Sequence, residues 1–201
     1  MAFKTFANAE EAATYAASLD ERWPGRAAVK AHLSSQLRAA PNTHVVEFCA
    51  GAGALAEQLL ADHPQIRYTG IDVTVPLLDL ARTRLAQHAP RVKWLEADLN
   101  QDAWITQIDK PISAFVSLQS IHDLGDEAAV ARIMRLAAEQ LQPQGQLVYA
   151  DMLAVEPPEE NTNPGRLRIP RHLELLQDAG FAHAECTMHN DVFGCFVAQK
   201  A

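Results

Sequence analysis

A chain of 201 residues, 48% of them hydrophobic, can bury one sizeable core and leaves little for a second. Its formal net charge of −8 works against a broad nucleic-acid footprint, which needs a basic patch to displace counterions. Cys49, Cys186 and Cys195 form no C-x-x-C pair, and no apolar run reaches signal-peptide or membrane-span length, so the composition reads as a cytoplasmic protein with reduced thiols.

In chain order, Asn8 followed three residues later by Glu11 forms a helix-start box, and the alanine-rich stretch from Glu10 to Asp20 is helical. Trp23-Pro24-Gly25 interrupts it. A second helix carries Val29, Leu33 and Leu37 at four-residue steps and stops at Pro41-Asn42. Val45, Val46 and Phe48 then make a buried strand, and Gly51 and Gly53 allow a turn in which backbone can approach a ligand. From Ala54 the period is helical, with Leu55 and Leu59, and Ala56 and Leu60, on neighbouring stripes.

Two readings compete for this strand, glycine turn and helix. Gly51 to Ala56 fits G-x-G-x-x-A, with the acid Asp72 about 20 residues on, as a dinucleotide fold requires. Glu47, inside the strand, points elsewhere: a carboxylate there would repel a pyrophosphate but suits a ligand with a cationic end. S-adenosylmethionine carries both an ammonium and a sulfonium.

The remaining elements alternate. Ile66 to Asp72 is a second strand ending in an acid that can accept both hydroxyls of a ribose. Thr74 can cap the next helix, Pro76 suits its first turn, and Leu78, Ala81 and Leu85 line its inner face. A third strand, Val92 to Glu96, runs into Ala97-Asp98-Leu99. A fourth, Ile112 to Leu118, runs into Gln119-Ser120-Ile121-His122-Asp123. A helix with Val130, Ile133, Met134, Ala137 and Leu141 on one face ends before Pro143-Gln144-Gly145, and Gln146 to Ala150 is the fifth strand. Residues 153–170 lack periodicity, hold four prolines, and read as a lid or a disordered loop. A helix from Arg171 to Ala179 and two strands joined at Asn190-Asp191 close the chain.

E-x-x-x-G-x-G from Glu47 resembles the first motif of the class I S-adenosylmethionine-dependent methyltransferases, with Cys49 in place of that pattern's first glycine. The string G-I-D-V-T-V-P-L-L-D-L-A-R resembles their second motif. The block S-I-H-D-L-G-D-E … L-Q-P-Q-G-Q-L-V-Y-A-D is similar to O-methyltransferases of the caffeic-acid type, with Leu124 where that family has tryptophan. The resemblance covers the catalytic fold of that family only, not its dimerising N-terminal domain.

The resemblance implies a three-layer Rossmann-like α/β sandwich, with a seven-stranded, mostly parallel sheet and a C-terminal antiparallel hairpin. It implies one methyltransferase domain over residues 1–201, in which residues 1–42 form a helical cover and 43–201 the catalytic core. The implied cofactor is S-adenosyl-L-methionine. Glu47, Cys49, Gly51 and Gly53 would bind it from the first turn, Asp72 and Val73 at the ribose, and Asp98, Leu99 and Leu118 around the adenine and beyond. His122 stands where the caffeic-acid family has its catalytic base, which suits a phenolic acceptor whose proton must be removed near neutral pH.

Tyr15, Arg22 and Trp23 are candidates for closing the site, or pack as ordinary cover residues, and Asp123 is a candidate at the acceptor. His122, Asp123 and Asp126 could be imagined around a metal, but acids at a helix entrance act more simply as caps, and no metal is expected. The expected activity is methyl transfer to a small molecule, at oxygen before nitrogen. Three alternatives stand: a nicotinamide oxidoreductase, which would lack the usual Tyr-x-x-x-Lys; a nucleic-acid or protein methyltransferase; and a non-catalytic cofactor-binding protein. The sequence does not set the oligomeric state.

Overall fold

A computed structural model describes residue 6, residues 8–155 and residues 161–201. Five residues of the aperiodic stretch, Glu156, Pro157, Pro158, Glu159 and Glu160, lie outside the described residues. Seven strands form one sheet in the order β3-β2-β1-β4-β5-β7-β6. β1 (His44–Phe48), β2 (Arg67–Asp72), β3 (Val92–Glu96), β4 (Ile112–Leu118) and β5 (Leu141–Met152) are parallel. β6 (His183–His189) and β7 (Phe193–Gln199) form the antiparallel hairpin, with β7 paired to β5. This is the expected Rossmann-like sheet. The order reverses between β1 and β4, which opens a crevice at the carboxyl ends of those strands.

Among the described residues, six α-helices accompany it: α1 (Ala9–Arg22), α2 (Arg26–Gln36), α3 (Ala54–Asp62), α4 (Val75–Arg84), α5 (Glu127–Gln140) and α6 (Ile169–Asp178). β1 is buried along its whole length, because helices cover both of its faces. Its alternate residues divide between two apolar clusters. Val46 and Phe48 join Trp104, Phe115, Met134 and Phe196 on one side, and Val45 joins Leu33, Leu59 and Tyr68 on the other. Glu47 therefore shares the face of Val45 and Tyr68, which brings an acid beside a phenol inside the layer.

Local chemistry accounts for most boundaries. Asn8 accepts the Glu11 N–H at 2.9 Å, as the helix-start box predicts. Other expectations need correction. α2 ends at Gln36, short of Pro41-Asn42, and Leu37 is already extended. Thr74 precedes α4 without making a side-chain cap. The Thr74 N–H donates to Asp72 Oδ1 at 2.8 Å, and the first-turn N–H of Leu77 goes to the Thr74 backbone carbonyl at 3.0 Å. β5 begins at Leu141, placed above on the helix face, and runs through Pro143-Gln144-Gly145 as an irregularity in its pairing with β4. Gln144 takes a φ of 62° there, so the sequence's stop signal is a bulge and not a loop. α6 takes Pro170 into its first turn, where a missing N–H costs nothing.

Candidate functional site

A cavity of about 620 Å³ opens at the switch point. Glu47, Gly51, Asp72, Leu118 and His122 line it from the sheet side, and Tyr15, Trp23 and Arg26 line it from α1 and α2. The helices preceding β1 thus contribute residues to the cavity wall. Arg22 also lines it and lies over the Tyr15 ring, 5.2 Å from its centroid.

Glu47 is 2% exposed, and its Oε2 accepts the Tyr68 hydroxyl at 2.5 Å. Burial pushes its carboxyl up to about 8, against the opposing pull of Tyr68 and of the Arg26 charge. An acid held neutral in a ligand cavity is poised to ionise when a cation arrives. Arg26, itself buried, donates from Nη1 to Asp20 Oδ1 at 2.9 Å and from Nε to Gln119 Oε1 at 3.2 Å. It thereby joins the N-terminal helices to the turn after β4, a role that nothing in its local sequence signals.

Three backbone positions shape the turn after β1. Gly51 has a φ of 53° and nothing within 4 Å of where a Cβ would stand, so its bare edge faces the cavity. Gly53, also expected at the cofactor, is not among the described lining residues. A Cβ there would lie 3.2 Å from both Ala81 Cβ and Leu85 Cδ1, so this glycine lets α3 pack against α4. Cys49 adopts a φ of 53° despite its side chain, which costs roughly 1–2 kcal/mol. The left-handed backbone that a glycine would supply is retained where the motif departs. Burial and the surrounding carboxylates push the Cys49 thiol well up, so it is no nucleophile at neutral pH.

Asp72 accepts the Gly51 N–H at Oδ2 and the Thr74 N–H at Oδ1, each at 2.8 Å. It fastens the glycine turn to the start of α4 and still has acceptor lone pairs to offer. Burial raises its carboxyl, opposed by those N–H groups. Val73 and Leu99 line the cavity. Asp98 sits between lining residues Ala97 and Leu99 but is not itself among them. Its carboxylate accepts the Asn100 N–H at 2.8 Å.

His122 lies on a 3₁₀ turn, Ile121–Leu124, just past β4, and is 4% exposed. Its Nδ1 is 2.5 Å from Oδ1 of Asp151, a fully buried acid near the end of β5. The backbone N–H of His122 donates to Asp151 Oδ2 at 3.0 Å, and that of Met152 to Oδ1 at 2.9 Å. A carboxylate so held fixes the tautomer with the proton on Nδ1, leaving the Nε2 lone pair for the cavity side. Asp123 Oδ1 is 3.4 Å from Nε2. Burial by itself lowers the imidazole, but the charge and hydrogen bond of Asp151, with Asp123, outweigh it and raise His122 above its ordinary value.

Sequence reasoning missed Asp151. The available signal was a fourth strand-end acid, after Glu47, Asp72 and Asp98, in L-V-Y-A-D. Asp126 caps α5 by accepting the Ala129 N–H at 3.1 Å, and among the described residues no group of three or more His, Cys, Asp or Glu is placed to hold a metal ion.

Fold and site together define a Rossmann-like α/β protein with a ligand cavity, lined by both acids and arginines, at the switch point of its sheet. The sequence profile of the methyltransferase domain family matches residues 45–145, and the chain belongs to that family, whose class I members use S-adenosyl-L-methionine. Among curated proteins it is similar to the ribosomal RNA small subunit methyltransferase C of Pseudomonas aeruginosa (strain LESB58). That match is 32% identical over 117 residues, covering 57% of this chain and 34% of the relative.

Among solved structures it is similar to an O-methyltransferase family protein from Burkholderia thailandensis. The TM-score is 0.75 at 19% identity, over 97% of this chain and 61% of that one. It is also similar to human N-acetylserotonin methyltransferase in complex with SAM, with a TM-score of 0.69 at 18% identity, over 96% and 57%. The chain spans about a third of the curated relative's length. Family membership decides between the two readings of the glycine turn, against the nicotinamide enzyme.

Proposed function

We propose that the protein transfers a methyl group from S-adenosyl-L-methionine to an oxygen of a small-molecule acceptor, with His122 as general base. The observation that carries this reading is the His122–Asp151 pair, a buried, oriented imidazole presented to the cofactor-sized cavity. The cofactor supplies an electrophilic methyl on a positively charged sulfur. The residues present fit such a ligand: a bare glycine edge at Gly51, a buried acid at Glu47 for a cationic amino group, and the charge of Arg26 for a carboxylate. Asp72 offers its remaining lone pairs to the ribose hydroxyls. The assignment of Asp98 to the adenine amino group rests on the resemblance, because its carboxylate is turned to Asn100.

At the acceptor, the Nε2 lone pair of His122 takes the hydroxyl proton, and Asp151 stabilises the imidazolium that forms. Positioning does most of the remaining work, since a sulfonium methyl needs a lone pair held in line and little else. Tyr15, Trp23 and Asp123 form the rim of the acceptor side in this proposal. One second reading has a specific observation behind it: the similarity to a ribosomal RNA methyltransferase favours a nucleic-acid acceptor. The formal charge of −8 weighs against it.

The test is transfer of labelled methyl to a panel of phenols, catechols, amines and ribosomal RNA. Label should enter phenolic oxygens, and His122→Ala should lower turnover by roughly 100- to 10,000-fold while affinity for the demethylated cofactor barely moves. Label entering only RNA, or an alanine variant with wild-type turnover on a phenol, would refute the proposal.

A further inference from the structure

The acceptor side of the cavity carries a cation that the methyl-transfer chemistry does not use. Arg166 lines the cavity together with His122, Asp123 and Leu124. Its Nε is buried and has no hydrogen-bond partner among the described residues, and no ion pair of its guanidinium is seen among them. Its charge is felt at His122, where it opposes the upward pull of Asp151. Arg166 is half-buried at the wall shared by this cavity and a smaller neighbouring pocket, and a guanidinium that lacks a carboxylate partner there can be answered by an anionic ligand.

The placement of Arg166 is built. Gly165, just before it, packs flush on the catalytic turn: a Cβ there would collide with the His122 carbonyl oxygen and sit 3.0 Å from that of Gly125. Asn163 donates from Nδ2 to Asp123 Oδ1 at 3.2 Å, and its own Oδ1 accepts the Gly165 N–H at 2.9 Å. The Arg166 N–H returns to Asn163 O at 3.1 Å, and Leu167 bridges to Leu153 at the end of β5. Residues 163–167 are thus a strap fastened at both ends that holds Arg166 beside His122. The charge of the whole cavity agrees. In a chain of formal charge −8, the described lining residues include four arginines (Arg22, Arg26, Arg84, Arg166) and three carboxyl groups (Glu47, Asp72, Asp123). Once the cofactor is bound, Glu47 is matched to its ammonium, which leaves the arginine of the strap to answer a second ligand.

We infer that the acceptor is an anion, a hydroxy acid whose carboxylate is held by Arg166 while its hydroxyl meets His122. This rests on the oxygen-methylation reading for the hydroxyl, but the carboxylate site stands on the strap and the unpaired guanidinium alone. Arginine's planar fork matches a carboxylate with two parallel hydrogen bonds, so the site would also orient the hydroxyl. A neutral phenol would leave the guanidinium unpaired at the cavity wall.

The test uses the full chain saturated with the demethylated cofactor. Calorimetry measures binding of 2-, 3- and 4-hydroxybenzoate and of aliphatic 2- and 3-hydroxy acids, each against its neutral amide. At least one acid should bind tighter than its amide by about 10-fold or more. Arg166→Gln should collapse that ratio towards one, and Arg166→Lys, which keeps the charge without the fork, should retain part of it. Wild-type protein with no preference for the acid in any pair, or an undiminished ratio in Arg166→Gln, would overturn the inference. Labelled-methyl transfer to the preferred acid separates the two claims. Carboxylate binding lost in Arg166→Gln, with no methyl reaching oxygen, would leave Arg166 assigned and refute the oxygen reading alone.

Discussion

Glu47 makes cofactor binding a proton-linked event. Its carboxyl sits at about 8 in the folded protein against an ordinary 4.5, with burial as the main cause. The sign follows directly. Between those two values the folded chain keeps a proton that the unfolded chain has lost, so this group's contribution to stability falls as pH rises across the window, by about 1.4 kcal/mol per unit at most. A ligand ammonium beside Glu47 favours the ionised form and draws the value back down, releasing a proton on binding. Affinity for S-adenosylmethionine or its demethylated product should therefore rise with pH, by up to about tenfold per unit below 8, and level off above it. Calorimetry at pH 6, 7, 8 and 9, in buffers of different ionisation enthalpy, counts the protons directly. Close to one proton should leave at pH 6 and almost none at pH 9. Glu47→Gln should abolish both the release and the slope, and should weaken binding most at high pH. A pH-independent dissociation constant in the wild type, or a slope that survives in Glu47→Gln, would refute the reasoning.

Three further predictions follow from the same geometry. Asp151→Asn removes the charge that holds His122 above its ordinary value, so the midpoint of the pH–rate profile, expected above 6.5 in the wild type, should move down while turnover falls. An unmoved midpoint would show that Asp151 does not govern the imidazole. Gly53→Ala should destabilise the protein by on the order of 1–3 kcal/mol, through a forced left-handed alanine and contact with Ala81 and Leu85. Gly51→Ala should chiefly weaken cofactor binding, and chemical denaturation with calorimetry separates the two; equal effects of both on affinity would contradict the division of labour. Asp72→Ala should lower cofactor affinity by roughly 10- to 100-fold and also cost on the order of 1–3 kcal/mol of stability, because two backbone N–H groups lose their acceptor. An unchanged dissociation constant would remove the ribose assignment.

Much of this protein was legible along the chain because the signals are local. The apolar run at Val45 to Phe48, the glycine turn and the helical stripe of Leu55 and Leu59 act over a few residues, and those elements stand in the structure at β1 and α3. Five strands separated by helices, then a closing hairpin, leave few sheets that can be built, and the observed order is one of them. Local signals failed where a tertiary contact outbid them. Pro143-Gln144-Gly145 reads as a break, but pairing of Leu141 with Ile112 draws the segment into β5. The site's chemistry belongs to the tertiary structure still more. Tyr68 meets Glu47 across 21 residues, Asp151 meets His122 across 29, and Arg26 meets Gln119 across 93. Strand register and helix docking set these meetings. Periodicity tells which face a residue takes, but only the assembled sheet brings the ends of β1, β4 and β5 together, where burial and neighbouring charge then tune each group.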